Sequence, residues 1–196
     1  MSHVVNRSTR ITAMAELIGG VEHRTITIVD YSPAWPARFE QERRRILTAL
    51  GATAVRVDHV GSTSVRGLAA KPIIDIQLSV PDIEDEQRYL PPLTDAGYLL
   101  RVREPGHRMV RTPDLDVHAH ICSTSSGWER RHLLFRDWLR HNTADRTAYE
   151  MLKRDLAYHD WPDMNAYADA KSALITEITT RAEAWADATG WTPRAT

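Results

Sequence analysis

The sequence predicts an α+β domain, a mixed sheet of five or six strands followed by a helical section packed against it. Three observations carry that expectation. Short apolar runs recur between residues 24 and 121, bounded by Gly, Pro, Asp and Ser. From Ser126 onward the apolar spacing is helical. No repeat, low-complexity tract or linker divides the 196 residues, a length that suits one domain. Residues 1–22 lack a clear pattern and are expected to be a flexible arm, leaving 23–190 as a single domain.

The elements follow in order. "RTITIV" (24–29) alternates and reads as an edge strand. In "YSPAWPARFEQERRRILTALG", Ser32 can cap a helix, Pro33 suits its first position, and Pro36 falls within the first turn. Trp35, Phe39, Ile46 and Leu50 share one face, and Gly51 stops the helix. "TAVRVDHV" (53–60) is a strand, and "IIDIQLSV" (73–80) is the best candidate for a central one. An amphipathic helix is expected over 82–96, interrupted or kinked by Pro91 and Pro92. "YLLRVRE", "HRMVRT" and "DVHAHI" read as three more strands. Helices follow over 128–141, over 144–158 with Thr143 as cap, and from an Asp163 cap to about residue 188.

Composition sets outer bounds. The chain is 42% hydrophobic and 26% charged, ordinary for a soluble globular protein. A net charge of −1 gives no strong signal for nucleic acid. The single cysteine, Cys122, excludes an intrachain disulfide and fits a reducing, cytoplasmic setting. No apolar run approaches the roughly 20 residues of a membrane helix, and no secretion signal is evident at the N-terminus. Arginine greatly outnumbers lysine, which reads as nucleotide-composition bias.

The chemistry concentrates in "HVGSTSVRGLAAKPIIDIQ" (59–77), where Asp75 sits in a run of Ile. A charge there is costly to bury unless something pairs with it. Farther on, Asp116, His118, His120 and Cys122 alternate with Val117, Ala119 and Ile121. Such a strand presents one polar, metal-capable face. His118 and His120 are either a chelating pair, hydrogen-bonding members of a polar sheet face, or acid–base groups.

A Gly-Ser turn after a strand, followed 14 residues beyond Gly61 by an acid in an apolar strand, resembles the nucleotidyltransferase superfamily signature. "HVGSTSVRGLAAKPIIDIQL", "HRMVRT", "DVHAHI", "RHLLFRDWLR" and "YADAKSALI" together resemble the GrpB family over residues 24–186. The resemblance implies a nucleotidyltransferase-like mixed sheet, and a similar domain is fused to some dephospho-coenzyme A kinases. It implies that Gly61, Ser62, Thr63 and Ser64 hold phosphate through backbone N–H groups and hydroxyls. The plainer reading is that they are turn and capping residues.

The superfamily pattern also implies two acids at i and i+2 for a pair of divalent ions, but Gln77 stands where the second is expected. Asp75, His118 and His120 therefore predict a transition-type divalent ion such as Zn²⁺ or Mn²⁺ in preference to Mg²⁺. Lys71 could reach a phosphate or be a solvated surface charge. Arg108 is expected to point into the same cleft as an anion ligand, and Arg111 is a similar candidate. Arg136 and Asp137 suit a structural pair, and Tyr167 and Lys171 could close the cleft or be a packed tyrosine beside a surface lysine. His59, beside the Gly-Ser turn, could contribute to the site, though packing and orienting the loop is the expected role. Cys122 reads as a small buried hydrophobe or a soft-metal thiolate. Arg66 replaces an expected proline, loosening the turn and adding charge. Two functions stay open: a transferase-like enzyme acting on a nucleotide or phosphorylated small molecule, or a non-catalytic module that binds one.

Overall fold

The computed structural model describes residues 15–22 and 25–194. One mixed sheet holds β1 (Glu16–Leu17), β2 (Arg56–Val60), β3 (Ile74–Val80), β4 (Leu99–Glu104), β5 (His107–Arg111) and β6 (Val117–Ser123). Their spatial order is β1-β4-β5-β6-β3-β2. β3 and β6 pair in parallel, with Asp75 opposite His118 and Gln77 opposite His120. The remaining pairs are antiparallel.

Period-two alternation sorts the residues of β3 and β6 onto two faces. Ile74, Ile76, Leu78, Val80, Val117, Ala119 and Ile121 join Trp35, Phe39, Ile46 and Leu50 of α1 (Trp35–Leu50) in the main core. Ile76 and Leu78 are fully buried, worth about 1.5–3 kcal/mol each. The opposite face carries Asp75, Gln77, His118 and His120 toward a helical layer. That layer comprises α3 (Gly127–His141), α4 (Thr143–Leu156), α5 (Met164–Asp169) and α6 (Ser172–Thr189). Its own core joins Leu134, Trp138, Leu139 and Ile178 to Val65 and Leu68 beyond the Gly-Ser turn.

Several expectations need correction. Residues 25–28 join no strand. Val29 makes a single bridge with Ala70, and Ile26 packs on Leu156 and Tyr167, which draws this segment off the sheet. α1 starts at Trp35, with Pro36 in its first turn, and Ser32, whose Oγ accepts the Ala34 N–H at 3.3 Å, lies ahead of it. The helix expected over 82–96 shrinks to α2 (Leu90–Asp95). Pro91 and Pro92 fall in its first turn, where a missing N–H costs little. Asn142, not Thr143, caps α4. Asp163 caps as expected, at 2.8 Å from both Asn165 and Ala166 N–H. The helix after it divides into α5 and α6, and Lys171 sits at the break. Of the arm expected over 1–22, residues 1–14 lie outside the described residues. Leu17 and Glu16 pair with β4, and Arg101 holds the Gly20 carbonyl at 2.6 Å. No described helix is long and apolar enough to cross a membrane.

Candidate metal and anion site

The two sequence stretches that attracted attention meet at one place. Gly61 adopts φ +65°, and a Cβ there would lie 2.8 Å from Asp75 Cβ and collide with its carboxylate. Only glycine lets the turn pack directly on this acid. A cavity of about 180 Å³ opens at that contact. Gly61, Ser62, Thr63, Asp75 and His118 line its sheet side, and Tyr149, Lys153, Tyr167 and Lys171 its helical side. Lys71 lines it too, so all three lysines of the chain converge on one cavity.

Each lysine is held in place. Lys153 Nζ donates to Ser62 Oγ at 3.0 Å and to the Ala69 carbonyl. Lys71 and Lys171 stand over the Tyr167 ring, at 4.8 and 4.2 Å from its centroid. Burial, with repulsion from Lys171, lowers the Lys153 pKa to about 7. Burial, with repulsion from Lys71, lowers that of Lys171 to about 8. The buried Tyr167 hydroxyl has no hydrogen-bond partner among the described residues.

Beside the cavity, Asp75, His118 and His120 bring one ligand atom each within 4.8 Å of one another. Asp75 Oδ1 lies 3.6 Å from His118 Nδ1 and 3.7 Å from His120 Nε2, separations that leave room for a shared cation. Burial acts to raise the Asp75 pKa, but the two imidazoles outweigh it wherever they present an N–H or a positive charge to the carboxylate, and then hold it well below the usual range. One carboxylate with two imidazoles suits a zinc- or manganese-type ion, and the set is short of oxygens for a magnesium pair.

Other expected residues go elsewhere. Arg108 stays out of the cavity, since its buried guanidinium is committed to Glu86 at 2.5 Å and Glu84 at 2.9 Å. Arg111 pairs with Glu22 at 2.6 Å. Ser64 Oγ turns back to the Gly61 carbonyl at 2.6 Å, capping its own turn. Asp116 takes Thr112 Oγ1 at 2.7 Å and Arg38 at 3.1 Å instead of joining the histidines. Cys122 is buried and accepts the Gln77 amide at 2.9 Å, and burial pushes its thiol pKa up. Arg66 is exposed. His59 orients the loop as expected, stacking on Phe39 and reaching Thr63 Oγ1 at 3.0 Å. Burial lowers its pKa to about 4. Arg136 pairs with Asp58 at 3.0 Å and Asp137 at 2.7 Å.

Sequence reasoning missed Tyr149 and Lys153, which come from α4, and the structural part played by His107 and His132. The available signal was scarcity. In a chain whose cations are almost all arginine, each remaining lysine is informative, because a compact ammonium does not substitute for a planar guanidinium.

Comparison with known proteins places this architecture. The family profile described as GrpB protein matches residues 25–181. The chain belongs to the GrpB family. A UPF0157 protein of Streptomyces coelicolor is 53% identical to this GrpB-family chain over 169 residues, covering 86% of this chain and 90% of that one. The crystal structure of conserved protein GrpB from Enterococcus faecalis matches with a TM-score of 0.72 at 34% identity, covering 81% of this chain and 99% of that one. A dephospho-CoA kinase of Mycolicibacterium paratuberculosis is 32% identical over 199 residues, covering 86% of this chain and 48% of the kinase.

Proposed function

We propose that this GrpB-family protein handles a phosphate ester at a single-metal site, with a nucleotide or other phosphorylated small molecule as ligand. The observation that carries the reading is the convergence of every lysine in the chain on the cavity beside Asp75. Lys71, Lys153 and Lys171 answer the charge of a phosphoryl group, while Gly61, Ser62 and Thr63 supply the turn that faces it. A phosphoryl dianion would draw protons onto Lys153 and Lys171, so binding offsets the cost of burying them. Asp75, His118 and His120 would hold a transition-type divalent ion, which would supply Lewis-acid polarisation of a phosphoryl oxygen. The cavity falls below the roughly 300 Å³ usual for whole small-molecule sites, so it fits the phosphate end of a ligand and leaves the remainder outside. The relatives named as dephospho-CoA kinase put phosphorylated nucleotides first among candidates.

A second reading, a non-catalytic binding module, is favoured by Gln77. Its amide is tied to His132 and Cys122 and offers no second carboxylate. Two experiments separate the cases. Calorimetric titration of Zn²⁺, Mn²⁺ and Mg²⁺, each with and without pyrophosphate, ATP or dephospho-CoA, tests the site. Tighter Zn²⁺ or Mn²⁺ than Mg²⁺ binding and metal-enhanced anion affinity are expected. Preferred Mg²⁺ binding or the lack of any anion affinity overturns the reading. Mass spectrometry of incubated mixtures then distinguishes turnover from binding.

A further inference from the structure

Behind His120, on the side away from Asp75, runs a line of hydrogen-bonding groups that the anion site does not use. Glu104 Oε1 lies 2.7 Å from His107 Nδ1, and His107 Nε2 lies 3.1 Å from His120 Nδ1. The far nitrogen of His120, Nε2, faces Asp75 Oδ1. Proton positions along this line follow from what each group can do. A carboxylate only accepts, and a neutral imidazole donates through one nitrogen and accepts through the other. His107 is buried and stacked on Trp128, with ring centroids 4.4 Å apart. Packed there at 4% exposure, the ring is neutral, because burial disfavours the charged imidazolium. Its one N–H goes to Glu104, so its Nε2 accepts, and the His120 Nδ1–H must donate. A neutral His120 then carries its lone pair on Nε2, facing Asp75.

We propose that Glu104 and His107 are positioning residues: acting through His107, the Glu104 carboxylate selects the Nδ1–H tautomer of His120 and aims its Nε2 lone pair at a cation shared with Asp75. The proposal rests on the metal reading above, and it gives a task to two residues for which the anion site has none. The neighbouring wall is fixed in the same manner. Gln77 Nε2 donates to Cys122 Sγ at 2.9 Å and to the Leu78 carbonyl at 3.2 Å, so its Oε1 accepts from His132 Nδ1 at 2.5 Å. His132 in turn packs at 68° to the His120 ring, with centroids 5.3 Å apart. Gln77, standing where a second metal carboxylate is absent, thereby helps confine the imidazole that remains. Partners of this kind are worth about 10–100-fold in metal affinity.

The test reads the tautomer directly. Long-range ¹H–¹⁵N correlation spectra of metal-free, ¹⁵N-labelled protein near pH 7.5 distinguish Nδ1–H from Nε2–H imidazole. The wild type is expected to show His120 as Nδ1–H. Glu104→Ala, at the partly exposed β4–β5 turn, and His107→Phe, which keeps a ring against Trp128, are expected to lose that preference. Both should bind Zn²⁺ about 10–100-fold more weakly, and Glu104→Ala should melt close to the wild type. An Nε2–H tautomer in the wild type, or equal Zn²⁺ affinity in Glu104→Ala and the wild type, overturns the proposal. A wild type that binds no divalent ion overturns the metal reading instead, and the tautomer in the wild type and Glu104→Ala then decides by itself whether Glu104 orients His120.

Discussion

Two regions of the molecule use their cations in opposite ways. On β4 and β5, arginines meet carboxylates: Arg103 pairs with Glu86 at 2.8 Å, Arg108 with Glu84 and Glu86, and Arg111 with Glu22. Around Asp75, Lys153 donates to a hydroxyl and a carbonyl, and Lys171 rests on an aromatic ring. Bidentate guanidinium–carboxylate pairs are closed arrangements that fix structure. Lys153 and Lys171, whose contacts are a hydroxyl, a carbonyl and an aromatic ring, have no carboxylate bonded to them among the described residues, so an incoming anion can take that place. The difference teaches that the availability of a cation is settled by what packs against it.

The largest expected effect breaks the comparison by pH. Burial lowers the pKa values of His59, His107 and His132 to about 4, 3 and 3. These lie below the unfolded value of about 6.5, so the unfolded chain takes up protons first. Stability is therefore full above about pH 6.5 and falls as the pH drops toward 4. Each group contributes a slope of up to about 1.4 kcal/mol per pH unit. Urea unfolding between pH 7.5 and 4.5 checks it. A flat profile would mean that these imidazoles are not buried as described.

Next comes Arg108→Met, which should cost about 2 kcal/mol by leaving the Glu104 and His107 carbonyls without their guanidinium donor and Glu86 with Arg103 alone, while pyrophosphate affinity stays unchanged. Lost anion binding with intact melting would move Arg108 back into the cleft. Asp75→Asn keeps the shape of the side chain but removes its charge. Zn²⁺ affinity should fall by about two orders of magnitude, roughly 2.7 kcal/mol, while the melting temperature holds or falls slightly, because the flanking imidazoles favour the charge that is removed. Titration calorimetry with differential scanning calorimetry reads both.

The smallest effects sharpen the lysine side. Lys153→Met and Lys171→Met should each weaken pyrophosphate binding about tenfold, the value of one charge-assisted contact. Because Lys153 and Lys171 are already disfavoured as buried cations, thermal stability should change little. A large stability loss with intact binding would make them structural, like the arginines.

Much of this was legible in the chain. Alternation in "IIDIQLSV" and "DVHAHI" placed Asp75, His118 and His120 on common faces, because side chains on a strand alternate by geometry alone. The helix cap at Asp163 was local and therefore readable. Errors arose where a residue's partner is remote in sequence. The extended run from residue 25 looked like a strand, yet Ile26 found a better surface on Leu156 and Tyr167. Arg108 looked like an anion ligand until Glu84 and Glu86 folded back onto it.

By itself the sequence determined which residues share a strand face, where most elements begin, and that Gly61 and Asp75 could belong to one motif. These follow from backbone periodicity and steric rules that act over a few residues. Tertiary structure decided that β3 and β6 lie side by side in parallel, so that Asp75 meets His118 and His120. It also decided that α4 and the α5–α6 break deliver Lys153 and Lys171 to the cavity where Lys71 already stands. Those pairings join positions dozens of residues apart, and only packing of the sheet against the helical layer, which has no short-range signature, brings them together.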